Sequence, residues 1–111
     1  MPKRSPTLLL EDILNAIEKI LRYVSGVNRT GFLSDDKTID AVVRNLEIIG
    51  EASRQLPEDF KDLHREIPWH KIAGLRNRIV HDYFGIDQEI VWHIIQNEIV
   101  ALRTDIESLL K

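Results

Sequence analysis

Eight consecutive residues, Arg76-Asn77-Arg78-Ile79-Val80-His81-Asp82-Tyr83, bring together groups suited to phosphodiester chemistry. A histidine titrates at about pH 6.5 and can take the proton of a ribose 2′-hydroxyl, a general-base contribution of about 10²–10⁴-fold. Arg76 cannot lose its proton, and its guanidinium can hold a phosphate through paired hydrogen bonds while charge builds on the oxygens. Asn77 can steady the imidazole or bind a phosphate oxygen. The candidate catalytic set is therefore Arg76, His81 and Asn77. The expected product is a 2′,3′-cyclic phosphate, formed with no metal and no cofactor.

The spacing predicts a helix over residues 69–83 that carries this segment and closes at Gly85. On such a helix Asn77 and His81 stack on one ridge, and Arg76 and Tyr83 share a neighbouring face. Arg76 and His81 would lie about 140° apart around the axis, so they do not point the same way. A two-fold axis beside the helix would bring two Arg and two His around one cleft. By spacing alone, an ordinary helix end is favoured, with His and Arg near the negative pole of the dipole and Tyr83 at the edge of the core.

The remaining elements also read as helices. Leu10, Ile13, Ile17, Ile20, Leu21 and Val24 recur at helical spacing over roughly residues 7–25, with Thr7 as N-cap and Gly26 as stop. Residues 27–33 read as a loop. A second helix runs from Ser34 or Asp35 to about Leu56 on the stripe Ile39, Val42, Val43, Leu46, Ile49 and Ser53. Gly50 beside that stripe costs about 1 kcal/mol relative to Ala and suits the close approach of another helix. Pro57 fits a first helical position for a short helix to Arg65, and Pro68 breaks the chain. Asp87 caps a long last helix on Val91, Ile95, Ile99, Leu102, Ile106 and Leu109. The fold class expected is all-α, an antiparallel bundle of four main helices plus a short one, forming one domain over residues 1–111.

The net charge of −3 argues against a general nucleic-acid coat. Its distribution is uneven. Residues 61–81 hold five basic against two acidic residues, a balance of +3, which leaves −6 for the rest. Positive charge thus gathers around the motif, though a solvated face explains this equally simply. There are no cysteines, which removes disulfides and thiolate metal sites and fits a reducing compartment. The apolar run Leu8-Leu9-Leu10 is too short for a signal peptide, and no run approaches a membrane span, so a cytoplasmic protein is expected.

Other candidates are weaker. His64, His70 and His93 lack metal-ligand spacing with carboxylates. Glu47 and Glu51 can line a cleft, but a solvated face or pairs with Arg44 or Arg54 suit them better. Trp69 and Trp92 read as core or interface anchors.

The chain resembles the HepT-like toxins, a branch of the HEPN superfamily (the DUF86 family). Arg76-x4-His81-x-Tyr83 looks like that family's Arg-x4-His-x-Tyr motif. So do Leu10-Glu11-Asp12-Ile13-Leu14, the stretch Asp40 to Ala52, Ile67-Pro68-Trp69 before Ile72-Ala73-Gly74-Leu75-Arg76, and Tyr83-Phe84-Gly85-Ile86-Asp87 followed by Val91-Trp92. The resemblance implies a helical homodimer with a ribonuclease cleft at its interface, in a type VII-like toxin–antitoxin pair. The implied substrate is RNA, with transfer RNA suggested and messenger RNA left open. The implied partner is a minimal nucleotidyltransferase antitoxin that transfers AMP to the motif tyrosine, here Tyr83. A bulky anion there would block RNA by sterics and repulsion. Position 82, which the motif does not fix, is Asp here and can orient His81 or repel phosphate. The alternative is a non-catalytic helical dimer that binds a nucleotide or the partner protein.

Overall fold

Ser5 begins the first helix of the computed structural model, which describes residues 4–80 and 85–111. Its side chain accepts from the Leu8 amide at 3.2 Å, with Pro6 already in the first turn, so the N-cap is Ser5 rather than Thr7. Helix α1 (Pro6–Tyr23) buries Leu10, Ile13, Ile17 and Ile20 of the stripe its spacing predicts, and Leu9 beside them, while Leu21 is only partly buried. Gly26, with φ of 75°, makes the turn that follows.

The stretch read as a loop contains a helical turn, α2 (Arg29–Leu33). Asn28 caps it by accepting from the Gly31 amide at 2.8 Å. A five-residue turn is too short to show periodicity, and tertiary packing holds it. Phe32 is fully buried with its ring 5.1 Å from that of Trp92, and Arg29 pairs with Glu89.

Helix α3 (Asp36–Gln55) is capped by Asp35, which accepts from the amide and hydroxyl of Thr38. That hydrogen bonding, from the side chain first, holds the Asp35 carboxyl below its ordinary value. The helix packs along α1 and, on another face, against α5 (Trp69–Ala73) and α6 (Leu75–Ile79). Between them α4 (Glu58–Leu63) starts one residue after Pro57. Trp69 is buried, donating its indole N–H to the His64 carbonyl at 3.0 Å.

The chain closes with α7 (Gln88–Ile94), a π-helical turn (Ile95–Ile99) and α8 (Val100–Leu109), which run on without a break in helical backbone. Val91, Ile95 and Ile99 are each four residues apart, slightly more than a helical turn. The wider π turn keeps Ile94, Ile95 and Ile99 all buried. The all-α bundle expected from the sequence is what forms. Its fourth helix, expected over 69–83, is instead two short helices joined at Gly74, and the described part ends at Ile79.

No helix of the described residues is long and apolar enough to cross a membrane.

Candidate active site

Gly50 sets how closely the motif segment lies against α3. A Cβ at this position would stand 3.3 Å from the Ile72 carbonyl oxygen and 3.5 Å from that of Ala73. The close approach expected of Gly50 is therefore made, and α5 is its partner. Arg54, one turn further along α3, donates to the Ala73 carbonyl at 2.8 Å and to Glu51 at 2.5 Å. These contacts hold the α5–α6 junction, and Arg76 opens the next turn beside a groove of about 240 Å³ that Glu47, Glu51 and Arg54 also line.

Arg76 and Asn77 are exposed. Among the described residues Arg76 has no ion-pair partner. Arg78 behaves differently. It donates twice to Glu98 in the π turn, at 2.8 and 2.6 Å, and Lys71 stands 3.8 Å from the same carboxylate. The hydrogen bonds from Arg78 hold the Glu98 carboxyl below its usual range against the opposing cost of burial, helped by the charges of Arg78, Lys71 and His93. The same hydrogen bonds raise Arg78. Of two nearby arginines, one is tied to the scaffold and the other is presented. Glu98 escaped sequence reasoning because its partner lies 20 residues away on another helix, where no local spacing rule applies.

His81 and Tyr83, and with them the angles expected around the helix axis, lie outside the described residues. Helix α6 ends at Ile79, and Val80 is extended, with ψ of 116°. Val80 pairs with Ile86 in an antiparallel bridge, and the Asp87 amide donates to the Ile79 carbonyl at 2.7 Å. Asp87 then caps α7 by accepting from the Ile90 amide. The segment that bears His81 and Tyr83 thus begins and ends at one place, four positions along the chain from Arg76 at its near end. The ridge expected of Asn77 and His81 and the face expected of Arg76 and Tyr83 each involve a residue outside those described.

Elsewhere, Glu51 pairs with Arg54 as expected, and Trp92 packs against the core. His64 lies against Phe60, their rings 4.8 Å apart, and His93 contacts Asn97. Among the described residues, no three His, Asp or Glu side chains come together in a way that would hold a metal ion.

The ribonuclease HepT-like family profile matches residues 13–109, nearly the whole chain. The chain belongs to this family. It is 46% identical over 109 residues to a protein of Thermococcus cleftensis named "Probable ribonuclease HepT", covering 98% of this chain and 99% of that one. It is 40% identical over 111 residues to a "Putative RNase" of Methanocaldococcus jannaschii, covering 100% and 92%. A third relative, a "Putative RNase" of Caldanaerobacter subterraneus, is 38% identical over 108 residues, covering 97% and 96%. No solved structure matches the chain.

Proposed function

We propose that this HepT-like chain is a metal-independent endoribonuclease toxin, active as a homodimer and held off by a minimal nucleotidyltransferase antitoxin. In the reaction, His81 takes the proton of a ribose 2′-hydroxyl. The 2′-oxygen attacks the adjacent phosphorus, the bond to the 5′-oxygen breaks, and that oxygen takes up a proton. Arg76 binds the non-bridging oxygens as charge builds on them, with Asn77 in support. The products are a 2′,3′-cyclic phosphate and a free 5′-hydroxyl. For regulation, the Tyr83 hydroxyl attacks the α-phosphorus of ATP on the antitoxin, pyrophosphate leaves, and the added AMP closes the site by charge and bulk.

The observation that carries this reading is the presentation of Arg76. It is exposed, without an ion-pair partner among the described residues, and close in sequence to the pinned base of the His81 segment. The half-exposed Val80 at that base, 40% accessible, suits a face covered by a second copy.

The test uses protein purified without its antitoxin and RNA, including transfer RNA, in excess EDTA. The wild type is expected to leave 2′,3′-cyclic phosphate ends. His81→Ala is expected to lose at least about 10²-fold in rate while remaining folded. Full cleavage by His81→Ala sinks the assignment. Nucleotide binding that needs the partner, with no RNA cut by the wild type, favours the non-catalytic module.

A further inference from the structure

The groove between α3 and the α5–α6 segment has a wall that the cleavage step does not use. Two carboxylates and two guanidinium groups line it, so its formal charge is balanced. The four groups are not equivalent. Glu51 and Arg54 neutralise each other, and Arg54 is further tied to the Ala73 carbonyl. Arg76 and Glu47 remain, neither with an ion-pair partner among the described residues. Gly50 forms the floor without a side chain, as its tight contact with the Ile72 carbonyl requires. The groove, about 240 Å³ in volume and open to solvent, is therefore lined on the α3 side by a carboxylate and on the α6 side by a cation that are each unpaired among the described residues.

A nucleotide divides its chemistry in the same way. Its phosphate is an anion, and the Watson–Crick edge of its base carries hydrogen-bond donors. Single-stranded RNA is commonly read along that edge once a base is splayed out. A carboxylate presents two acceptors and no donor. Guanine alone among the four bases offers two adjacent donors there, its ring N–H and its amino group. Adenine and cytosine set one donor beside a lone pair, and uracil flanks its single donor with two acceptors.

We infer that this groove is a guanine-recognition subsite. Glu47 accepts the two N–H donors of the base whose 3′-phosphate Arg76 holds, and Gly50 leaves room for the ring. This rests on the proposed role of Arg76 as the phosphate clamp.

The test is a titration of the isotope-labelled full chain with 3′-GMP, 3′-AMP, 3′-CMP and 3′-UMP, followed by amide chemical shifts. In the wild type, 3′-GMP is expected to bind at least about fivefold more tightly than 3′-UMP, with shifts at Gly50, Glu51 and Ala73. Glu47→Gln is expected to remove the guanine preference and leave binding of inorganic phosphate unchanged. Arg76→Ala is expected to weaken all four nucleotides alike. Equal affinities in the wild type, a preference that survives Glu47→Gln, or shifts confined to another face would overturn the subsite. Its failure is distinct from failure of the cleavage reading. An active ribonuclease with no base preference refutes the subsite alone. Guanine-selective binding by a protein that cuts no RNA refutes the cleavage reading alone.

Discussion

Removing Glu98 tests whether the π turn of the last helix is what holds the motif segment in place. Helix α6 has five residues and no side-chain cap, so little within it resists displacement. Its lateral tie is the Arg78–Glu98 pair, whose side chains are 28% and 24% exposed. Fully exposed pairs contribute about 0–1 kcal/mol, and breaking a fully buried one costs about 3–5 kcal/mol. A pair about three-quarters buried, with two charge-assisted hydrogen bonds, lies between these limits, at about 2 kcal/mol for Glu98→Ala. An unfolding entropy of about 2.1 cal/mol/K per residue amounts to about 0.23 kcal/mol/K for this chain, so the melting temperature should fall by about 9 °C. The assay is thermal unfolding by circular dichroism of the wild type, Glu98→Ala, Arg78→Ala and the double variant. The double variant should lose clearly less than the sum of the two single losses, because the interaction can be removed only once. The pH dependence has a definite sign. The Glu98 carboxyl is depressed in the folded state, so its contribution is present above the ordinary glutamate value of 4.5 and is lost as pH falls through the depressed one. The gap between wild type and Glu98→Ala should therefore narrow in acid. A fall of less than about 3 °C at neutral pH, or strict additivity in the double variant, would refute the reasoning.

Two further outcomes follow from the local geometry. Gly50→Ala should stay within about 1 kcal/mol of wild type in urea unfolding, since better helix propensity offsets a contact that is only a few tenths of an ångström too close. Gly50→Val should destabilise by about 2 kcal/mol, because its extra methyl groups meet the α5 backbone; equal stability of the two variants would show that α5 moves away freely. In the α3 cap, the Thr38 hydroxyl is the leading cause of the low Asp35 pKa. Thr38→Val should therefore raise the Asp35 titration midpoint toward the ordinary 3.8, followed by carboxyl-carbon NMR. A midpoint that does not rise would remove the hydroxyl from the explanation.

The long helices were legible because burial repeats itself along them. In α1 and α3 the apolar stripe extends over many turns, and the inward positions expected from it are buried apart from Leu21, which is partly so. Short elements held by distant contacts leave no such trace. Helix α2 exists because Phe32 finds Trp92, about sixty positions away, and because Arg29 finds Glu89. The cap at Ser5 rather than Thr7 turned on Pro6, which serves as the first helical residue and fixes the start two positions earlier. For the candidate site, residue types pointed to Arg76, whereas Glu47 and Glu51, read more readily as a solvated face or as partners of Arg44 or Arg54, line a groove beside it. The division of labour between Arg76 and Arg78 was not legible, since it depends on a carboxylate brought in by the last helix.

The break at Gly74 and the end of α6 at Ile79 also change the argument about how the motif works. On a continuous helix, Arg76 and His81 face away from each other, and a second protomer is needed simply to bring an arginine to a histidine. In the structure α6 stops at Ile79 and Val80 is extended and paired with Ile86, so the single continuous helix that this reasoning assumes does not run through Val80. Arg76 is set by α3, through Gly50 and the Arg54 bridge to Ala73, while the base of the His81 segment is set by α7, through Asp87. Two independent parts of the scaffold thus hold Arg76 and the residues that flank the His81 segment. For the proposed homodimer, the described residues then offer a different reason, the cover of the exposed Val80 and the shaping of an RNA cleft. A monomeric variant that still cleaved a short oligonucleotide would separate those two roles.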